Sequence, residues 1–196
     1  MKKFKNKYRI ESNRLQGWNY GTNALYFVTI CCKDKEYFFG DIIDDKMKLS
    51  PVGHVVNNEW LKTFEMRPDM NLWMGNYIVM PNHFHAIIGI GDNQYNTLAR
   101  KNAMHGRDAM HCVSTGGYKN QFGPQTKNLA SIVRGFKTGV TINARQIDPD
   151  FAWQTNYHDH IIRNEKSFQK ISDYIIDNPL KWDEDTFHPN NQKAKK

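Results

Sequence analysis

Cysteine is scarce in this chain, with three in 196 residues. Two of them, Cys31 and Cys32, are neighbours, and neighbours in a strand point to opposite faces, so they do not pair with each other. An odd, sparse set excludes a disulfide scaffold of the secreted kind and fits a reducing compartment. Long apolar runs are missing too. No stretch reaches the roughly 18 apolar residues that a membrane-crossing helix needs. The N-terminal lysines lead into Arg9, Glu11 and Asn13 rather than into the apolar core of a signal peptide. A cytoplasmic protein with no membrane partner is expected. The GxxxxGK loop that cradles nucleotide phosphates is also absent, which agrees with a chemistry that needs no external energy source.

What is present is positive charge. Against 20 acidic residues stand 27 basic ones, giving a net charge of +7 and a pI near 9.2, a balance that favours a polyanionic partner. The first 14 residues carry Lys2, Lys3, Lys5, Lys7, Arg9 and Arg14 against Glu11 alone, with Phe4 and Tyr8 interleaved. Such an arm, about 1–20, suits phosphate contact and base stacking. The length fits one domain spanning 1–196.

Ala24-Leu25-Tyr26-Phe27-Val28-Thr29-Ile30-Cys31 is β-branched and aromatic and reads as a buried central strand. A small hairpin is expected around Asp44-Asp45-Lys46. Val52, Val55, Val56, Trp60 and Phe64 recur with helical spacing over about 51–66, with Pro51 in the first turn and Ser50 as its cap. Strands follow at about 71–80 and 83–90. The stretch 91–127 is rich in Gly, Asn, Gln, Lys and Ser and reads as a mobile insertion loop. Leu129, Ile132, Val133, Phe136 and Val140 then mark a helix, with Lys127, Arg134 and Lys137 on another side. A strand at about 153–162 precedes a last helix capped by Asn164 and ended by Pro179. This order fits an α+β fold of ferredoxin-like type, an open antiparallel sheet with helices mainly on one face.

Two constellations carry chemistry. In Met80-Pro81-Asn82-His83-Phe84-His85 the two imidazoles share one strand face, while Phe84 points to the other, and a pair so spaced can hold one metal ion. Tyr174 and Asn178 stand four apart on one helix face, with Lys170 one turn earlier. The carboxamide oxygen of Asn178 is a hard ligand that could complete a site begun by the histidines. His158 and His160 form a rival pair, open to supporting the site, touching phosphate or building a different metal centre. His105, His111 and Cys112 suggest zinc only superficially, given the low-complexity stretch around them.

Five pieces occur in one order: Tyr26-Phe27-Val28-Thr29, Met80-Pro81-Asn82-His83-Phe84-His85, Trp153-Gln154, His158-Asp159-His160-Ile161-Ile162-Arg163-Asn164 and Tyr174-Ile175-Ile176-Asp177-Asn178-Pro179. Together they resemble the REP-associated tyrosine transposases, relatives of the small IS200-like single-tyrosine HUH transposases, over about residues 9–183. The resemblance implies the HUH endonuclease fold, His83, His85 and Asn178 as ligands of Mg²⁺ or Mn²⁺, and Tyr174 as nucleophile. It implies cleavage of single-stranded DNA near hairpin-forming repeats through a 5′-phosphotyrosine intermediate, by a monomer or homodimer. Lys3, Lys5, Lys7, Arg9, Arg14, Lys127, Arg134, Lys137 and Lys170 are the expected backbone contacts, and Tyr8, Trp18, Tyr20 or Trp153 the stacking surfaces. Two other functions compete: a non-catalytic single-stranded nucleic-acid-binding module, and a zinc hydrolase using both histidine pairs.

Overall fold

The computed structural model describes residues 3–4, 7–8, 15, 17–97 and 126–194. Strands β1 (Lys3–Phe4) and β2 (Lys7–Tyr8) pair antiparallel at the N-terminus. Arg9 and Arg14 of the basic arm, Lys5 between its strands, and His105, His111 and Cys112 lie outside the described residues.

A four-stranded antiparallel sheet forms the body. Its strands are β3 (Ala24–Cys31), β6 (Leu72–Met80), β7 (His83–Ile90) and β8 (His158–Ile162), in the order β6-β7-β3-β8. Between β3 and β6 lie the hairpin β4 (Gly40–Ile43) and β5 (Lys46–Leu49) and helix α1 (Pro51–Glu65). Asp44 and Asp45 both take positive φ, 50° and 58°, which matches the twist that a two-residue hairpin turn demands. Ser50 caps α1 by accepting from the Gly53 N–H at 3.0 Å. A Cβ at Gly53 would stand 2.1 Å from the Phe39 carbonyl oxygen, so glycine lets the helix start against the hairpin.

The sheet separates two apolar clusters. Tyr26, Val28, Ile30, Phe84, Ala86 and Ile88 project to the side covered by α1 and by α2 (Leu129–Ala144). Trp60 lies at the centre of this core, its ring 5.0 Å from Phe84 and 5.3 Å from Phe136. Asn128 caps α2 reciprocally with Ser131. The other face is smaller. There Phe27, Ile87 and Ile162 meet Phe168, Ile171 and Ile175 of α3 (Glu165–Asp177). Of α1, α2 and α3, two thus lie on one face, and α3 lies on the face that carries the histidines.

The strand expected at 153–162 is shorter, because regular pairing begins only at His158. Trp153 bridges Cys32, but the carbonyls of Gln154 and Thr155 accept from Lys137 Nζ at 2.6 and 3.3 Å instead of from a strand.

Every residue of β7 is buried. Phe84 stands between the two histidines in sequence and on the opposite face, so it anchors their strand to the main core. Phe84→Ala is expected to cost about 3–5 kcal/mol, measured as a shift of the urea unfolding midpoint at unchanged slope.

Candidate active site

The pairing of β3 with β7 places Thr29 opposite His85 and Cys31 opposite His83. Both histidines are essentially fully buried, on the face under α3. The fine structure of their hydrogen bonds decides what each ring presents. Asn82 Nδ2 donates to the Lys35 and Phe187 carbonyls at 3.1 and 3.0 Å, which fixes the amide so that its Oδ1 faces His83 Nδ1 at 2.8 Å. The His83 proton therefore sits on Nδ1, and Nε2 offers a lone pair. Among the described residues that Nε2 is buried with no hydrogen-bond partner. His85 is held likewise, with Nδ1 2.8 Å from Thr29 Oγ1.

Helix α3 brings the tyrosine over these rings. Tyr174 Oη lies 3.1 Å from His85 Nε2, and the two ring centroids are 5.2 Å apart. One turn later Asn178 is buried at the helix end, its Oδ1 without a partner among the described residues and its Nδ2 donating to Asp185 Oδ2 at 3.1 Å. The three side chains the sequence nominated as ligands, His83, His85 and Asn178, converge with Tyr174.

Asp185 is the residue that sequence reading passed over. After Pro179 the chain turns back across the site, with Phe187 4.5 Å from His83 and Trp182 5.9 Å from it, measured between ring centroids. Asp185 is buried there, Oδ1 accepting from the Phe187 N–H at 2.6 Å and Oδ2 lying 3.4 Å from Tyr174 Oη. Ligating atoms of His83, His85 and Asp185 all lie within 4.8 Å of one another, and this trio could hold a metal ion. The sequence signal was faint: an aspartate among apolar aromatics, Trp182 and Phe187, in a segment otherwise rich in acids.

The donor set fits a divalent cation. Two imidazole lone pairs and a carboxylate come together, the Asn178 amide is hydrogen-bonded to that carboxylate, and among the described residues His83 Nε2 and Asn178 Oδ1 are buried without partners, a costly state in an apolar interior. Burial, with the His85 ring and Lys35 adding to it, holds His83 well below the usual imidazole value. Burial takes His85 down to about 3. Both rings are neutral near pH 7, the form that binds metals. Burial and then the Asp185 carboxylate push the Tyr174 phenol up to about 12, so it needs assistance to act as a nucleophile.

The remaining nominated residues are dispersed. His158 and His160 pair with Thr29 and Phe27, which puts them on the histidine face of edge strand β8, where both are exposed. Among the described residues they do not join the metal-binding group. Lys170 is exposed on α3. Lys127 is ion-paired with Asp69 and lies 4.9 Å from the Tyr95 ring centroid. Arg134 and Lys137 line a groove beside α2. Trp18 donates to Tyr26 Oη at 3.2 Å and Tyr20 stacks on Tyr26 at 5.7 Å, so both serve the fold. No described helix is long and apolar enough to cross a membrane.

The four-stranded antiparallel sheet with helices on both faces is the α+β fold of the HUH transposases. A solved REP-associated tyrosine transposase bound to a REP hairpin superposes at a TM-score of 0.54 and 17% identity, over 89% of this chain and 74% of that one. An uncharacterized protein of Haemophilus influenzae is 36% identical over 178 residues, 90% of this chain and 92% of that protein. The chain belongs to one sequence family with the Haemophilus protein and has the fold of the REP-associated tyrosine transposases. No family model matches it.

Asn82→Ala is expected to weaken Mn²⁺ binding 10- to 100-fold by releasing the His83 ring, read by titration calorimetry. A pH effect follows from the buried imidazoles. The unfolded chain takes up their protons near pH 6.5 while the folded rings stay neutral, so protons favour unfolding. In chelator, stability should fall below pH 6.5 by about 1.4 kcal/mol per pH unit for each ring. His85→Gln should make that slope shallower in urea melts between pH 7 and 5; an unchanged slope would contradict the assignment.

Proposed function

We propose that this protein is a metal-dependent single-stranded DNA endonuclease and strand transferase, a transposase that uses Tyr174 as nucleophile. The observation that carries the reading is the 3.1 Å approach of Tyr174 Oη to His85 Nε2, beside the unpartnered His83 Nε2 and Asn178 Oδ1. A phenol and a set of metal donors drawn from β7, α3 and the segment after it meet at one point.

In this mechanism His83, His85 and an oxygen of Asn178 or Asp185 would hold Mg²⁺ or Mn²⁺, and the ion would supply Lewis-acid withdrawal of charge from the scissile phosphate. Tyr174 is seated by Phe27, 6.1 Å away edge to face, and by His85. Its phenolic proton passes to Asp185 Oδ2, the nearest carboxylate at 3.4 Å. The phenolate oxygen attacks phosphorus in line, the bond from phosphorus to the 3′ oxygen breaks, and that oxygen leaves as a 3′ hydroxyl once protonated from solvent. The phosphotyrosine keeps a phosphodiester's bond energy, so a second 3′ hydroxyl reverses the step and joins strands. An unpaired strand is the natural substrate, because a rigid duplex does not offer its phosphate to a tyrosine seated 3.1 Å from a buried ring. The similar transposase carries a REP hairpin, and hairpin-forming repeats are the corresponding substrate here. His158 and His160, exposed on the same face, would meet the flanking phosphates.

On a denaturing gel, labelled single-stranded hairpin DNA with Mg²⁺ or Mn²⁺ should give a covalent protein–DNA band. Chelator and Tyr174→Phe should each abolish it. Binding without cleavage under every condition would point instead to a non-catalytic binding module, and cleavage that survives the mutation would remove Tyr174 from the mechanism.

A further inference from the structure

The loop that leaves β3 carries a lysine in an uncommon backbone state. Lys33–Lys35 form a short 3-10 turn, and within it Asp34 and Lys35 both take positive φ, 51° and 59°. Aspartate tolerates that region because its short side chain can bond the local backbone; lysine has no such compensation. The conformation of Lys35 is held from outside the loop. Its carbonyl accepts from Asn82 Nδ2 at 3.1 Å, the same amide that orients His83. Strain of this kind persists where the surrounding structure over-determines it.

The consequence is the placement of a charge. Lys35 Nζ lies 5.1 Å from the centroid of the Phe187 ring, and that ring lies 4.5 Å from His83. The ammonium also donates to the Thr186 carbonyl at 3.3 Å, a contact that fixes its position without neutralising it. Elsewhere lysines are matched by acids: Lys62 by Glu59, Lys127 by Asp69, Lys181 by Asp177. Lys35 makes no ion pair among the described residues. Its charge still reaches the site, where, after burial and the His85 ring, it adds to the lowering of His83.

The position of Lys35 relative to Tyr174 follows from the register of β3 and β7. On the site face the paired residues run Phe27–Ile87, Thr29–His85 and Cys31–His83 along the strands. Tyr174 lies over the first two of these levels, 6.1 Å from Phe27 and 5.2 Å from His85 between ring centroids. Lys35 comes from the chain beyond the third. The tyrosine and the ammonium therefore stand at opposite ends of the histidine pair, whose rings are 4.4 Å apart. In-line displacement at phosphorus needs that separation, because the attacking oxygen enters on one side and the leaving oxygen departs on the other.

We propose that Lys35 is a catalytic residue of the strand-cleavage reaction, its ammonium holding the 3′ oxygen as that oxygen leaves. The inference rests on the DNA-processing function proposed above and names the group that acts opposite the nucleophile.

The bond from Tyr174 Oη to phosphorus forms while the bond from phosphorus to the 3′ oxygen breaks. The electron pair of the broken bond stays on the 3′ oxygen, where Lys35 stabilises the developing charge until solvent supplies the proton. Charge met only as it develops lowers the barrier rather than tightening ground-state binding. The Thr186 carbonyl gives way at that point, because an anionic oxygen binds an ammonium more strongly than a neutral one. In the joining direction, a 3′ hydroxyl that attacks the phosphotyrosine loses its proton beside the same ammonium.

The test uses the full chain with Mn²⁺ and labelled single-stranded hairpin DNA, and compares two forms of the phosphate that the wild-type protein cleaves. One keeps the bridging 3′ oxygen and the other carries sulfur in its place. Lys35→Met removes the charge and keeps an unbranched apolar side chain beside Phe187. It should slow formation of the covalent complex on the oxygen DNA about 10²- to 10³-fold. On the sulfur DNA it should match wild type within about threefold, because a thiolate departs without a cation's help. Calorimetry with Mn²⁺ and anisotropy with the hairpin check that the variant still binds metal and DNA, and Lys35→Gln replaces it if it does not. Equal slowing on both substrates, or loss of metal or DNA binding in both variants, would give Lys35 a purely structural role and overturn the proposal while the nuclease reading stands. An unchanged rate on the oxygen DNA overturns it too. If the wild-type protein forms no covalent complex with either DNA, the functional reading fails and this role of Lys35 with it.

Discussion

The structure depends on the burial of two imidazoles in a strand that has no exposed residue. β7 is the second strand of a four-stranded sheet, with α1 and α2 on one side and α3 on the other. A strand in that position is normally apolar throughout, and this one is so over Phe84 and from Ala86 on. His83 and His85 interrupt it on the α3 face. Each meets the cost of burial at one nitrogen, through Asn82 and Thr29, and each points the other nitrogen at the space under Tyr174. The pattern is that of a ligand pair held in place by neighbours that also set the tautomer.

Asn82 extends this arrangement beyond the strand. Its amide joins the carbonyl of Lys35, in the loop after β3, to that of Phe187, in the segment after α3, while its oxygen holds His83. Three parts of the chain distant in sequence are thereby tied to one ring. Phe187 in turn lies against His83, Lys35 Nζ stands 5.1 Å from the Phe187 ring centroid, and Asp185 enters the site beside Tyr174. The turn Pro81-Asn82 thus shapes the site as well as reversing the chain.

Much of this was legible in the residues. Helical spacing of Val52, Val56 and Trp60, and of Leu129, Ile132, Phe136 and Val140, located α1 and α2, because burying an apolar stripe is what makes those helices stable. Alternation placed His83 and His85 on one face and Phe84 on the other. The four-residue interval put Tyr174 and Asn178 together. Less was legible where a polar group chose between partners. Lys127 reads as a free cation beside a helix, yet Asp69, more than fifty residues away, neutralises it. Trp18 reads as a stacking platform, yet its indole N–H is committed to Tyr26. The strand expected from 153 gives way to an irregular segment in which the carbonyls of Gln154 and Thr155 accept from Lys137.

The sequence by itself determined the periodicities: which residues share a face of a strand or helix, where capping side chains start a helix, and that Pro179 stops one. Those are local consequences of backbone geometry and travel with the chain. Tertiary structure decided which faces meet. It laid α3 over β7 so that Tyr174 reaches His85, folded the segment after Pro179 back so that Asp185 joins them, and set Lys35 over the Phe187 ring that lies against His83. Contacts between segments separated by tens of residues follow from how the two apolar clusters close around the sheet. No spacing along the chain encodes that closure.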